Sequence, residues 1–347
     1  MSNDLFIKAC FRQPTPRTPV WIMRQAGRYL PQYRSVRAKV DFLTLCKTPE
    51  LAAEVTIQPV DIIGVDAAII FSDILVVSEA MGMELNVEEG KGGPEFPSPI
   101  RSVAAIAGLT ATPPIERLKF VMDALRLTRK TLDGKVPLIG FSGSPWTLAA
   151  YMVEGHGSRN FRYIKELIYR SPKDAHALLE KLAHTVAAYL SAQIEAGAQA
   201  VQIFDTWGGL LTQDAFNEFS LRYIRQVIDE TTARGVPIIV FCKDCGHSLK
   251  QIADVRCQMV GLDWTTDIRE ARELVGDRVA LQGNLDPTIL YASPEVIRRE
   301  VKSILTKFGK GPGHVFNLGH GILPDIPVEH VKEFVQAVKD QSIQFHQ

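Results

Sequence analysis

Eight short runs of apolar residues recur along the chain, and each closes on polar residues or glycine. They lie at 19–24 (PVWIMR), 67–73 (AAIIFSD), 136–143 (VPLIGFSG), 200–206 (AVQIFDT), 236–242 (VPIIVFC), 259–264 (MVGLDW), 279–284 (VALQGN) and 314–319 (HVFNLG). The runs are nearly continuous in apolar residues rather than alternating, which is how strands buried on both faces read. Such a sheet needs helices over it, and helical patterns lie between the runs. Residues 49–63 read as a helix, with Thr48 as N-cap and Pro49 as first helical residue. Residues 172–196 read likewise with Ser171 as cap, 214–234 form a third helix, 293–308 a fourth with Ser293 capping, and 327–341 close the chain. Alternation of this kind repeated eight times predicts a single (β/α)8 barrel of TIM type, one domain over residues 1–347.

The rival architecture is a doubly wound open sheet split into two domains, joined by a linker rich in Pro, Gly and Ser. The stretch that looks like one, 90–99 (GKGGPEFPSP), falls between the second and third runs. It reads as an excursion from the barrel, a hairpin or a lid. Composition narrows the partners. Lys and Arg number 39 and Asp and Glu number 39, so the net charge is zero. A broad nucleic-acid-binding face would leave a basic surplus, so nucleic acid is not an expected partner. The five cysteines, Cys10, Cys46, Cys242, Cys245 and Cys257, are odd in number and scattered, unlike a disulfide framework. No apolar stretch approaches the roughly 20 residues of a membrane span, and residues 1–10 lack the apolar core of a signal peptide. A soluble cytoplasmic protein is the expectation.

In such a barrel the active site gathers at the C-terminal ends of the strands. The first run closes with Arg24, Gln25, Ala26, Gly27 and Arg28. If the chain turns helical there, the two arginines sit four apart on one face, where an anion between them would relieve their repulsion. The other reading is a solvated face with internal salt bridges. Asp73 ends a wholly apolar run, so it is a general base, an acceptor for donors on a ligand, or a partner to Arg24 or Arg28. His320 lies between Gly319 and Gly321, and a histidine there can donate to an anion or move protons near neutral pH. Cys242 and Cys245 form a C-x-x-C with His247 behind it. A structural zinc would need more ligands at suitable spacing, and a redox pair a thioredoxin-like context. The remaining reading is a buried Cys242 ending a strand and an ordinary loop Cys245. The chain carries no Walker lysine, no G-x-G-x-x-G after its first strand and no G-x-S-x-G, which removes support for a nucleotide or dinucleotide site.

Together these strand-end blocks resemble one family over almost the whole chain. Residues 19–34 (PVWIMRQAGRYLPQYR) and 140–151 (GFSGSPWTLAAY) are similar to the two signatures of the uroporphyrinogen decarboxylases, and FSD at 71–73, 204–208, QGNLDP at 282–287 and FNLGHG at 316–321 also match. The resemblance implies a homodimeric barrel that removes four acetate carboxyls from uroporphyrinogen III, giving coproporphyrinogen III without metal or organic cofactor. It implies that Arg24, Gln25, Ala26, Gly27 and Arg28 meet the substrate's carboxylates. Asp73 is implied to face the pyrrole NH groups, and Tyr151, Thr206 and His320 to line the cleft. By the same resemblance Asp73, Arg24 and Arg28 are the catalytic candidates. Physical logic fits: arginines local to a cleft can hold a polycarboxylate while net charge stays zero. Two other readings compete. Zinc-dependent corrinoid methyltransferases share the barrel but place a His-x-Cys pair after the fifth strand and a further cysteine after the last, where this chain has Lys243-Asp244-Cys245 and His320. A tetrapyrrole carrier would use the same cations without turnover.

Overall fold

Seven of the eight runs become parallel strands in the computed structural model, which describes residues 4–88, 93–110, 114–232 and 235–347. In chain order the strands are β1 (Ala68–Ile69), β2 (Asn86–Glu88), β3 (Gly93–Glu95), β4 (Leu138–Gly143), β5 (Ala200–Asp205), β6 (Ile238–Cys242), β7 (Met259–Gly261), β8 (Ala280–Gln282) and β9 (His314–Val315). One sheet runs β1-β4-β5-β6-β7-β8-β9, every neighbour parallel; in its middle Phe204 pairs with Phe241 and Asp205 with Cys242. The central strands β5 and β6 are buried throughout, as their unbroken apolar sequences require.

The first run departs from expectation. Residues 19–24 form no strand, and the sheet has seven strands rather than eight among the described residues. The cause is that side chains take the donors a ladder would use. Val20 N–H donates to Asp66 Oδ2 (2.9 Å), Ile22 N–H to Gln25 Oε1 (3.1 Å) and Met23 N–H to Asn317 Oδ1 (2.9 Å). The segment still touches both ends of the sheet. Val20 makes a single parallel bridge to Phe316, and Asp66 N–H donates to Val20 O at 2.7 Å just before β1. Inside the sheet a polar chain crosses the core: Trp21 Nε1 donates to Gln282 Oε1 (2.8 Å) and Gln282 Nε2 to Gln202 Oε1 (3.3 Å).

The helices that cover the sheet are α1 (Pro49–Ile63), α2 (Lys119–Leu132), α3 (Pro145–Glu154), α4 (Pro172–Glu195), α5 (Arg222–Glu230), α6 (Ile268–Val275), α7 (Pro294–Phe308) and α8 (Val328–Ser342). Helix α1 has the expected bounds and stops at Gly64, whose φ of 77° is the left-handed conformation favoured at a helix end. Thr48 sits at its N-cap, but its hydroxyl donates back to Thr44 O (2.8 Å) instead of capping. The helix expected over 214–234 is broken: an α turn at Gln213–Phe216 passes into a π-helical turn at Asn217–Leu221 and then into α5. Residues 233–234 lie outside the described residues. The excursion expected at 90–99 begins too late: it holds β3, whose antiparallel partner β2 precedes it, and 89–92 lie outside the described residues. It is tied to the end of α3 by Phe96 N–H to Gly155 O (2.6 Å) and Ile100 N–H to Met152 O (2.8 Å). Among the described residues no helix is long and apolar enough to cross a membrane.

Candidate active site

The chain leaves the first run through a tight turn, not a helix, so Arg24 and Arg28 do not share a helix face. Gln25 makes the turn. Its side chain is wholly buried; Oε1 accepts from Ile22 N–H, Nε2 donates to Ala67 O (3.0 Å), and its own N–H donates to Ile22 O (2.9 Å). Both ends of its amide and its N–H are therefore engaged within the chain. With Gln25 held inward, Arg24 is turned out at φ 63°. Gly27 fits because a Cβ there would lie 2.9 Å from Arg24 O, and a Cβ at Gly321 would run into the Arg24 side chain. The glycine after His320 thus makes room for Arg24 as well as for the imidazole. Both arginines are exposed. The Arg28 carbonyl accepts from the Arg34 guanidinium at 2.9 Å, and its charge acts on Tyr33.

Asp73 follows β1 and is half-buried. Oδ1 accepts from Leu75 N–H at 2.8 Å, while Oδ2 has no hydrogen-bond partner among the described residues. It forms no salt bridge with Arg24 or Arg28, which removes the simplest structural reading of the three. Burial raises its carboxyl above the usual carboxylate range, and the Leu75 N–H and the Arg24 charge oppose that.

Tyr151 lies on α3, one turn after Thr147, with its ring centroid 6.0 Å from that of Trp207. Burial keeps its hydroxyl protonated; the Trp207 indole opposes that, the Asp73 charge reinforces it, and the Arg24 charge opposes it. His320 is half-buried, 6.1 Å from Phe241 and 6.5 Å from Trp264 between ring centroids. Burial first, then the charges of Arg24 and Lys243, push its imidazole down to about 4, so it is neutral at neutral pH. The Arg24 charge therefore acts on Asp73, Tyr151 and His320 alike. Thr206 is half-buried in the turn after β5.

Two further groups belong here that the strand-end reading had not singled out. The Lys243 ammonium sits 2.6 Å from Asp244 and 5.9 Å from the Trp264 ring. Trp207 stands beside Tyr151, with its indole N–H directed at that hydroxyl. A cation inside the C-x-x-C and a tryptophan next to Thr206 were the available signals. Cys242 and Cys245 are free and buried, and each other's neighbours. Cys245 Sγ donates to Lys243 O at 3.2 Å. Among the described residues no three His, Cys, Asp or Glu side chains converge as a metal-binding group.

The family model described as uroporphyrinogen decarboxylase matches residues 1–341. Similar curated proteins include the uroporphyrinogen decarboxylase of Chloroherpeton thalassium, 56% identical over 352 residues and covering 100% of this chain and 99% of that one. That of Chlorobium luteolum is 55% identical over 351 residues, with 100% of both chains covered. Among solved structures, a methyltransferase from Methanosarcina mazei superposes with a TM-score of 0.82 at 21% identity, over 98% of this chain and 99% of that one. At that identity the likeness concerns the fold, and it supports a TIM-type α/β architecture.

Proposed function

The chain belongs to the uroporphyrinogen decarboxylase family, and on that premise we propose how its cleft converts uroporphyrinogen III to coproporphyrinogen III. Its activity is decarboxylation in porphyrin biosynthesis. Each of four acetate side chains loses CO2 and gains a proton, so an acetate becomes a methyl group. The C–C electron pair needs a sink. A pyrrole protonated on a ring carbon is one: the pair moves toward the iminium-like ring as CO2 leaves, the exocyclic carbon then takes a proton, and the ring carbon gives its own back. The substrate thus supplies what an organic cofactor otherwise would.

The observation that carries the assignment is the unfilled Oδ2 of Asp73, on a half-buried carboxylate with Arg24 near it. Four pyrrole NH donors converge on one acceptor, and the carboxylate stabilises the cationic ring as it forms. Arg24 and Arg28 hold carboxylates, and the backbone at Ala26 and Gly27 lets them approach. Tyr151, Thr206 and the neutral His320 orient the reacting acetate as hydrogen-bonding groups. Gln25 acts behind them by holding the turn. The segment 19–24, bridged to both ends of the sheet, serves as the eighth stave of a closed barrel, and the protein works as a cytoplasmic homodimer with facing clefts.

Anaerobic turnover of uroporphyrinogen III by chelator-treated protein, with products separated by carboxyl count, tests this. A ladder from eight carboxylates to four is expected. Tight binding without a ladder would make the protein a carrier. Activity that appears only with zinc and a corrinoid would make it a methyltransferase.

A further inference from the structure

Asp205 ends β5 with no exposed surface and no basic residue in contact, yet both of its oxygens are filled. Oδ1 accepts from Ser144 Oγ and Thr147 Oγ1, each at 2.8 Å, and Oδ2 from Ser220 Oγ at 2.5 Å. The direction of two of these bonds is fixed by the backbone. Ser144 Oγ already accepts from Thr147 N–H (3.0 Å), and Thr147 Oγ1 from Trp207 N–H (3.3 Å). A backbone N–H can only donate, so each hydroxyl turns its own proton to the carboxylate.

This arrangement joins three pieces of chain. Ser144 and Thr147 are the N-cap and first turn of α3, the helix that carries Tyr151 one turn further on the same side. Trp207 is the residue after Thr206, and its carbonyl accepts from Trp146 Nε1 at 2.9 Å. Both backbone groups of Trp207 are thus fastened to α3, one of them through a hydroxyl that Asp205 holds. Ser220 lies in the π-helical turn, on neither α3 nor the loop after β5. A Cβ at Gly208 would lie 2.5 Å from Asp205 Oδ2, so the loop closes down on the carboxylate.

We propose that Asp205 is a positioning residue: without touching the substrate, it sets Tyr151 and Thr206 in register with each other through Thr147 and the Trp207 backbone. This rests on the reading that Tyr151 and Thr206 face the reacting acetate. One carboxylate then makes a bond on the α3 side that bears on catalysis and a bond on the Ser220 side that bears on folding alone. The two are separable.

The test compares Thr147→Val with Ser220→Ala, each of which removes one hydroxyl from the same carboxylate. Thr147→Val, which also strands the Trp207 N–H, should lose more melting temperature than Ser220→Ala. Thr147→Val should lower kcat by about tenfold to a hundredfold with little change in KM. Ser220→Ala should hold kcat within about twofold of the parent, and Thr147→Ser should restore most of what Thr147→Val loses. If Thr147→Val does not fold, Trp146→Phe, which removes the bond to Trp207 O along with part of a buried ring, should show the same kcat loss. Equal kcat losses in Thr147→Val and Ser220→Ala, or full activity in a folded Thr147→Val or Trp146→Phe, would overturn the proposal. A parent protein that yields no carboxyl ladder would instead overturn the proposed function.

Discussion

Asp73 and Asp205 both stand at the upper end of a strand of the same sheet, and burial raises both carboxyls. Their surroundings are opposite. Asp205 has no exposed surface and three hydroxyl donors on its two oxygens. Asp73 is half-buried, accepts one backbone N–H on one oxygen and leaves the other open. A buried polar group whose partners all come from the chain is there for the chain; one left short of partners is there for something that arrives. The same division separates other strand ends. Asp263 accepts from Thr265 and Asp244, and Asn284 donates to Asp263 O (2.7 Å) and Thr266 O (2.6 Å). Both are saturated. His320 and Thr206 have no hydrogen-bond partner among the described residues and share the open state of Asp73.

Asp73→Asn gives the largest expected effect. Turnover should fall about 10³-fold, because a carboxylate that stabilises a cationic intermediate is replaced by a neutral amide. Stability should hold or rise. A group whose folded pKa is raised costs stability at pH values above it, and the substitution removes that cost. Near-normal turnover by the variant, or a melting temperature depressed as far as in the Asp205 variants, would erase the distinction between the two aspartates.

Arg24 and Arg28 sharpen the comparison within the open region. The charge of Arg24 reaches Asp73, Tyr151 and His320, whereas that of Arg28 acts on Tyr33. Arg24→Ala should cost roughly 10²-fold in kcat/KM and Arg28→Ala roughly tenfold, the span expected for losing a hydrogen bond to a charged group. The reverse order in steady-state kinetics would move the centre of the site toward Arg28.

On the saturated side the effect moves from rate to stability. Asp205→Ala strands three buried hydroxyls and should cost about 3 kcal/mol in urea unfolding. Asp205→Asn should cost under about 1 kcal/mol, because the amide oxygen keeps Ser144 and Thr147 while its NH2 donates to Ser220. Equal losses for the two variants would mean that charge, rather than the bonding pattern, holds this junction.

Most of the architecture was legible because buried parallel strands leave unbroken apolar runs. The bounds of 49–63 came through intact, since Pro49 and Gly64 punctuate both ends. The first run misled because it is as apolar as a strand; what keeps it from pairing is Asp66, Gln25 and Asn317, three side chains far apart in sequence that meet its N–H groups in space. The same blindness affected the site. Gln25 and Arg24 are adjacent in one motif, and only the fold reveals that one faces the core and the other is exposed. The break in the helix after residue 213 had no local signal either, as its partner, Asp205, belongs to the preceding strand.

Two histidines complete the comparison at its smallest scale. His314, in β9, is buried, stacked at 4.3 Å on Phe308, with Nε2 3.1 Å from Gly283 O; His320 is half-buried in the cleft. Burial depresses both, to about 3 and about 4 from 6.5. Their sign is the same: the unfolded chain binds protons that the folded one refuses. The stability they confer is complete above pH 6.5 and is lost as pH falls through 6.5 toward the folded values. The raised carboxyls of Asp73 and Asp205 act in the other direction, since folding keeps their protons. Between about pH 6.5 and 5 the histidines should make unfolding free energy rise with pH, and the raised carboxyls oppose them. His320→Asn should reduce that slope by about one proton and leave the His314 contribution in place. The kcat/KM profile of the parent should show no limb near pH 6.5 from His320, because the imidazole is already neutral there. A limb at that pH that vanishes in His320→Asn would make His320 a cationic proton donor rather than the neutral ring that its burial favours.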